Sequence, residues 1–168
     1  MRAGTRIRSS GCGTLSGVTN GADVSRSGYT EDCDDPLVWG RTKAAVNSAM
    51  RGRRGQAFLK ELLTALDALS EKRLIREDLE APATGMPFAE RHDVCALGAV
   101  GRARGLDMSD LDPYDHYTVA ARFGIAHMMA CEIKYCNDDY HRETPERRFE
   151  RMRKWVADQI LSEQPPKA

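Results

Sequence analysis

The chain has 168 residues, 25 Lys plus Arg against 25 Asp plus Glu, and aromatics at only 7%, which suits one domain with tails, a real core and long solvated faces. A protein that grips nucleic acid through many phosphates carries a basic excess, so the balanced charge argues against that role while leaving room for a local basic patch. No apolar stretch approaches the ~18–20 residues needed to span a bilayer, and Arg2, Arg6 and Arg8 are not followed by the apolar segment of a secretory signal.

Residues 1–23, MRAGTRIRSSGCGTLSGVTNGAD, hold five glycines and no apolar period, so they read as disordered. The bacterial start codon GTG is read as valine inside a frame. Val24 opens the natural-looking VSRSGYTEDCDD and is expected to be the true start, with residues 1–23 a mis-assigned extension. A helical domain is expected over 24–161 and a flexible tail over 162–168.

Pro36 opens the first helix, with Leu37, Val38, Ala44, Ala45 and Ala49 as its apolar stripe and Trp39 beside it. Gly52 and Gly55 interrupt it at RGRRG. A second helix over 55–69 carries Phe58, Leu59, Leu62, Leu63, Leu66 and Leu69 at i, i+3 and i+4 spacings, a wide core-facing stripe. KRLIREDLE, 72–80, reads as a strand or an irregular link, and APATGMPFAE as a Pro/Gly loop. VCALGAVGRARG, 94–105, is a helix of small residues that permits close backbone approach. LDMSDLDPYDHYT is an acidic connection. Short helices follow over 117–123 and 126–136, the latter stopped by Asn137 and Asp138. Thr144, Pro145 and Glu146 then start the last helix as cap, first helical residue and dipole partner. Phe149, Met152, Val156 and Ile160, with Trp155 adjacent, give its buried face. No repeat of 20 to 50 residues is visible. The expected fold is all-α or mostly α. It is a single compact domain of about five or six helices, with or without a short two-stranded ribbon pairing 72–79 with 92–96.

Five cysteines, Cys12, Cys33, Cys95, Cys131 and Cys136, form no CxxC pair and read as reduced thiols of a cytoplasmic protein, mostly small core residues. Ala120, Gly124, Ile125, Ala130 and Ile133 fit a helix-turn-helix template. The second helix would have to offer polar side chains to base edges. It offers Ala126, His127, Met128, Met129 and Cys131 instead, so a packed helical hairpin is expected. His127 and Cys131 share a helix face, with Cys136 and His141 nearby, but the spacings match no standard zinc module. A core cysteine and a surface histidine explain them, and no metal or cofactor is expected. Asp107, Asp110, Asp112 and Asp115 lack the central glycine and closing glutamate of a calcium loop and read as turn formers and caps.

Cys95 near His92 is the one sequence-local nucleophile–base pair, and VCALGAV reads as buried, whereas a reactive thiol needs access. No GxSxG, Walker-type loop, HExxH or GxGxxG occurs, so no catalytic residues are assigned and the chain is expected not to be an enzyme. Of the basic clusters, Arg147, Arg148, Arg151, Arg153 and Lys154 alternate with Glu146, Glu150 and Asp158 and read as a solvated, paired face. Arg51, Arg53 and Arg54 are less balanced. Together with Lys134, late in the helix after the turn, they are the candidate contacts for nucleic acid or an acidic partner.

RGRRGQAFLKELLTALDALSEKRLIREDLE, VCALGAVGRARGLDM, FGIAHMMACEIKYCNDD and ETPERRFERMRKWV together resemble a family of small proteins common in tailed phages and prophages, over residues 24–161. Family members typically begin near the SRSGYT segment, in keeping with a start at Val24. Their link before VCALGA is shorter than the APATGMPFAER of this chain. The resemblance implies a phage or prophage accessory protein acting in the bacterial cytoplasm, and it carries no activity and no catalytic residues. The expected function is a non-enzymatic interaction module that binds a host or phage protein. The alternative is a helix-turn-helix-like DNA binder, and no membrane partner is expected.

Overall fold

The computed structural model describes residues 35–83, 92–139 and 142–162. The 1–23 extension, the Val24 start, most of the APATGMPFAE loop, Cys12, Cys33, His141 and the chain beyond 162 lie outside these residues. The described chain forms α1 (Pro36–Arg51), α2 (Arg53–Ala68), β1 (Glu80–Pro82), β2 (His92–Val94), α3 (Ala96–Arg104), α4 (His116–Phe123), α5 (His127–Asp138) and α6 (Pro145–Gln159). It is a mostly α single domain with one short antiparallel ribbon, Glu80 opposite Val94. Among the described residues no helix is long and apolar enough to cross a membrane.

Local chemistry explains where the helices start. Asp35 accepts hydrogen bonds from the Leu37 and Val38 amides, Asp115 from Tyr117 and Thr118, and Thr144 from Arg147, each satisfying amides that have no partner inside the helix. At α3 the cap is a thiol: Cys95 Sγ accepts from the Gly98 amide at 3.4 Å. α4 ends at Gly124, whose φ of 68° is left-handed and suits a residue without Cβ.

The core is built on α2, whose Phe58, Leu59, Leu62 and Leu66 are buried together with Val100 of α3, Ile133 of α5 and Met152 and Val156 of α6. Each such side chain contributes roughly 1.5–3 kcal/mol of burial. Against this layer α3 lies very close. The Gly98 α-carbon faces the Leu79 carbonyl with no room for a Cβ, which is the close approach expected of VCALGAVGRARG.

Three expectations are corrected. First, the stripe of α1 holds only at Ala49, which packs on the core: Leu37, Val38, Ala44 and Ala45 are exposed, and the buried residues are Val46 and Met50. α1 packs on α2 and α5 through its second half, so its first turns overhang the core. Second, of the two readings of 72–79 the irregular link holds and the strand does not, so the ribbon does not start at 72. Leu74 and Leu79 are buried, and the backbone between is served by single bonds from elsewhere: Leu74 N donates to Pro145 O, Ile75 N to Val94 O, Arg148 to Leu74 O and Asn137 to Ile75 O. The strand comes later, at Glu80–Pro82. Third, the α6 basic cluster is solvated at Arg147, Arg153 and Lys154, as expected of most of it, but not at Arg148 and Arg151. Arg148 is buried, Arg151 makes paired bonds to Glu143 and donates to Cys136 O, and Arg153 reaches Asp67 of α2. Lys154 alone keeps the expected i,i+4 pair, with Asp158.

Candidate functional site

The RGRRG corner between α1 and α2 and the turn between α4 and α5 face each other across an open groove of about 880 Å³. Small residues line most of it: Ala45 and Ala49 from α1, Gly52 and Gly55 at the corner, Ala120 and Ala121 from α4, Gly124 and Ala126 from the turn. Arg53 and Arg54 stand on one side, His127 and Met128 on the other. Both arginines are exposed, and neither has an acidic partner among the described residues. Two helices begin here, α2 at Gly52 and α5 at Ala126, and neither start has a side-chain cap. The groove therefore combines an apolar floor that an incoming backbone can approach closely with a rim that attracts negative charge.

Of the four cations named from sequence, the structure brings Arg53 and Arg54 into this groove and leaves Arg51 exposed on the last turn of α1. Lys134 is elsewhere and occupied. Its ammonium pairs with Asp138 at 2.8 Å, donates to Glu77 O and lies 4.6 Å from the centre of the Tyr114 ring.

The turn expected from Ala120, Gly124, Ile125, Ala130 and Ile133 is present, and all of these but Gly124 are buried or half-buried. The helix after it is largely enclosed: from His127 to Asp138 every residue is buried or half-buried. Met129 is fully buried and Met128 packs against the core. A recognition helix needs a row of side chains free to enter a groove of DNA, and α5 has none.

At the other side of the turn, α4 and α5 bring together three donors. Cys131 Sγ lies 3.4 Å from His116 Nδ1 and 3.4 Å from His127 Nε2. The His127 ring is stacked on Tyr117, centres 3.8 Å apart and planes within 5°. Burial, then the nearby Lys134 and His127, push the His116 imidazole below its ordinary range. His127 and Cys131 were paired from sequence by their spacing. His116 was missed, because it belongs to another helix and only the folding back of α5 on α4 adds it. The tight turn at Gly124 was the available signal for that folding back. Cys136 does not join them: its thiol donates weakly to Glu132, 3.8 Å away, and burial with the Glu132 carboxylate pushes its pKa up. His92 is exposed against Glu80, while the Cys95 thiol is buried and pushed up to about 11 by that burial, so it is protonated at neutral pH.

The chain matches no family model, no curated protein and no solved structure in the comparisons made.

Proposed function

We propose that the chain is a phage or prophage accessory protein that works in the bacterial cytoplasm as a non-enzymatic interaction module, and that an acidic segment of a host or phage protein docks in the groove between the two corners. The observation that carries this reading is the pairing of an alanine- and glycine-lined floor with two exposed arginines that have no acidic partner among the described residues. An incoming segment with small or apolar side chains and one or two carboxylates would fill the floor and pair with Arg53 and Arg54, whose planar groups suit carboxylates. The phage setting rests on the motif resemblance over 24–161. The buried, protonated Cys95 thiol argues against nucleophilic catalysis at that residue.

The alternative, a helix-turn-helix-like DNA binder, keeps the basic corner but lacks a helix able to present side chains to base edges. The two readings separate in one experiment. The chain and its Arg53→Glu/Arg54→Glu variant are used to capture partners from host lysate, with and without nuclease. A discrete protein that survives nuclease, is identified by mass spectrometry and is lost with the charge reversal supports docking in the groove. Capture of nucleic acid, lost as salt rises, would replace this reading with the alternative.

A further inference from the structure

We propose that His116, His127 and Cys131 form a binding site for one transition-metal ion of the zinc class, held by three protein donors with a fourth position left for water or a partner's donor. The ligand atoms of the three side chains all lie within 4.8 Å of one another. Around a tetrahedral zinc ion, with bonds of about 2.0–2.1 Å to nitrogen and 2.3 Å to sulfur, neighbouring ligand atoms sit roughly 3.3–3.6 Å apart. The thiol is already 3.4 Å from a nitrogen of each ring. An ion therefore needs no movement of the buried cysteine, only a modest closing of the two imidazoles.

The surroundings hold these groups in place. Cys131 is 1% exposed and rooted in the most enclosed helix of the fold. His127 is fixed by its stack on Tyr117. Both histidines are partly exposed, which leaves an entry path. A thiolate with two imidazoles selects zinc, cobalt, nickel or copper over calcium or magnesium, which need oxygen donors. Lys134, whose charge is felt at His116, is paired with Asp138. A metal-free cluster has its own solution. A single S–H donates to one ring while the other ring donates to sulfur, so the distances by themselves admit both states and a binding experiment decides between them.

Cobalt(II) is titrated into the full-length chain, kept reduced without thiols and without oxygen. Expected is one equivalent bound, with a thiolate-to-cobalt charge-transfer band in the near ultraviolet, intense visible bands of a four-coordinate ion, and displacement by zinc. Cys131→Ser removes the charge-transfer band. His116→Ala and His127→Ala each weaken binding by roughly tenfold or more, the scale seen even for groups that only support a ligand. Cys136→Ser leaves the spectrum unchanged. Absence of the charge-transfer band in the unaltered chain, or its survival in Cys131→Ser, overturns the proposal. Should Cys131→Ser fail to fold, His127→Ala decides the matter on a partly exposed ring, and unchanged affinity there overturns it equally. The Arg53→Glu/Arg54→Glu variant is expected to bind cobalt normally, so failure of the docking reading and failure of the metal site are distinguishable.

Discussion

α2 and α5 are both central helices, yet they are buried in different ways. α2 lies on the surface of the core: Phe58, Leu59, Leu62 and Leu66 point in, while Lys60, Thr64 and Asp67 are exposed. α5 is covered by α1, α3, α4 and α6, so its polar residues must be satisfied inside the protein. Glu132 and Asn137 are 2% and 1% exposed. Asn137 accepts from the Ala96 amide at the start of α3 and donates to Ile75 O. The lesson is that a polar residue means solvent on a one-sided helix and structure on an enclosed one.

The largest expected effect breaks this comparison at its centre. Asn137→Ala leaves the buried Ala96 amide and the partly buried Ile75 carbonyl without this partner, and an unsatisfied buried group costs about 1–3 kcal/mol. A loss of roughly 3 kcal/mol is expected from urea midpoints at unchanged slope. A loss below about 1 kcal/mol would mean that water replaces the side chain and that α5 is less enclosed than described.

Next comes Cys95, the thiol cap beneath α3. Its pKa is about 11 in the folded protein against an ordinary 9.0. The folded state therefore holds its proton more tightly than the unfolded chain. The associated stability is fully present below pH about 9 and is lost as pH rises through about 11. At about 1.4 kcal/mol per unit, the loss approaches 2–3 kcal/mol. Cys136, also pushed up, adds in the same direction. Denaturant titrations from pH 8 to 11 are expected to show this decline, Cys95→Ala to lessen it, and Cys95→Ala with Cys136→Ala to lessen it further.

The smallest effects lie on the outer side of α2. Arg104 grips Glu61 with two bonds of 2.6 Å and donates to Phe123 O. Both members of the ion pair are about a third exposed, so solvent screening limits Arg104→Ala to about 1 kcal/mol. Arg104 holds the Glu61 carboxyl below its usual range. The contribution of the pair is therefore present at neutral pH and lost as pH falls through the acid range of that carboxylate. The variant's deficit in thermal unfolding should shrink correspondingly. Lys154→Ala, which removes an exposed pair with Asp158, is expected to leave the melting temperature unchanged within error.

How much of the candidate sites was legible follows the same division. Arg53 and Arg54 stood out because RGRRG has no nearby acid to balance it, and the groove beside them did not, since its floor comes from helices up to about eighty residues away in the chain. His127 and Cys131 were linked by the helical period, while His116 needed the turn at Gly124 to fold α5 back on α4. The α1 stripe misled because an apolar period says which residues share a face, not whether anything lies against it.

By itself the sequence determined five or six helices, the starts at Pro36 and Thr144, the one-sided core of α2 and the close-packed small-residue helix α3, because propensity, capping and amphipathic period act over a few residues. Only the tertiary structure decided that α5 is enclosed, that Arg148 and Arg151 of α6 turn inward, that the strand begins at Glu80, and that two corners frame a basic groove while two histidines meet one thiol. Those outcomes depend on which surfaces cover which, and such contacts join residues that no local period relates.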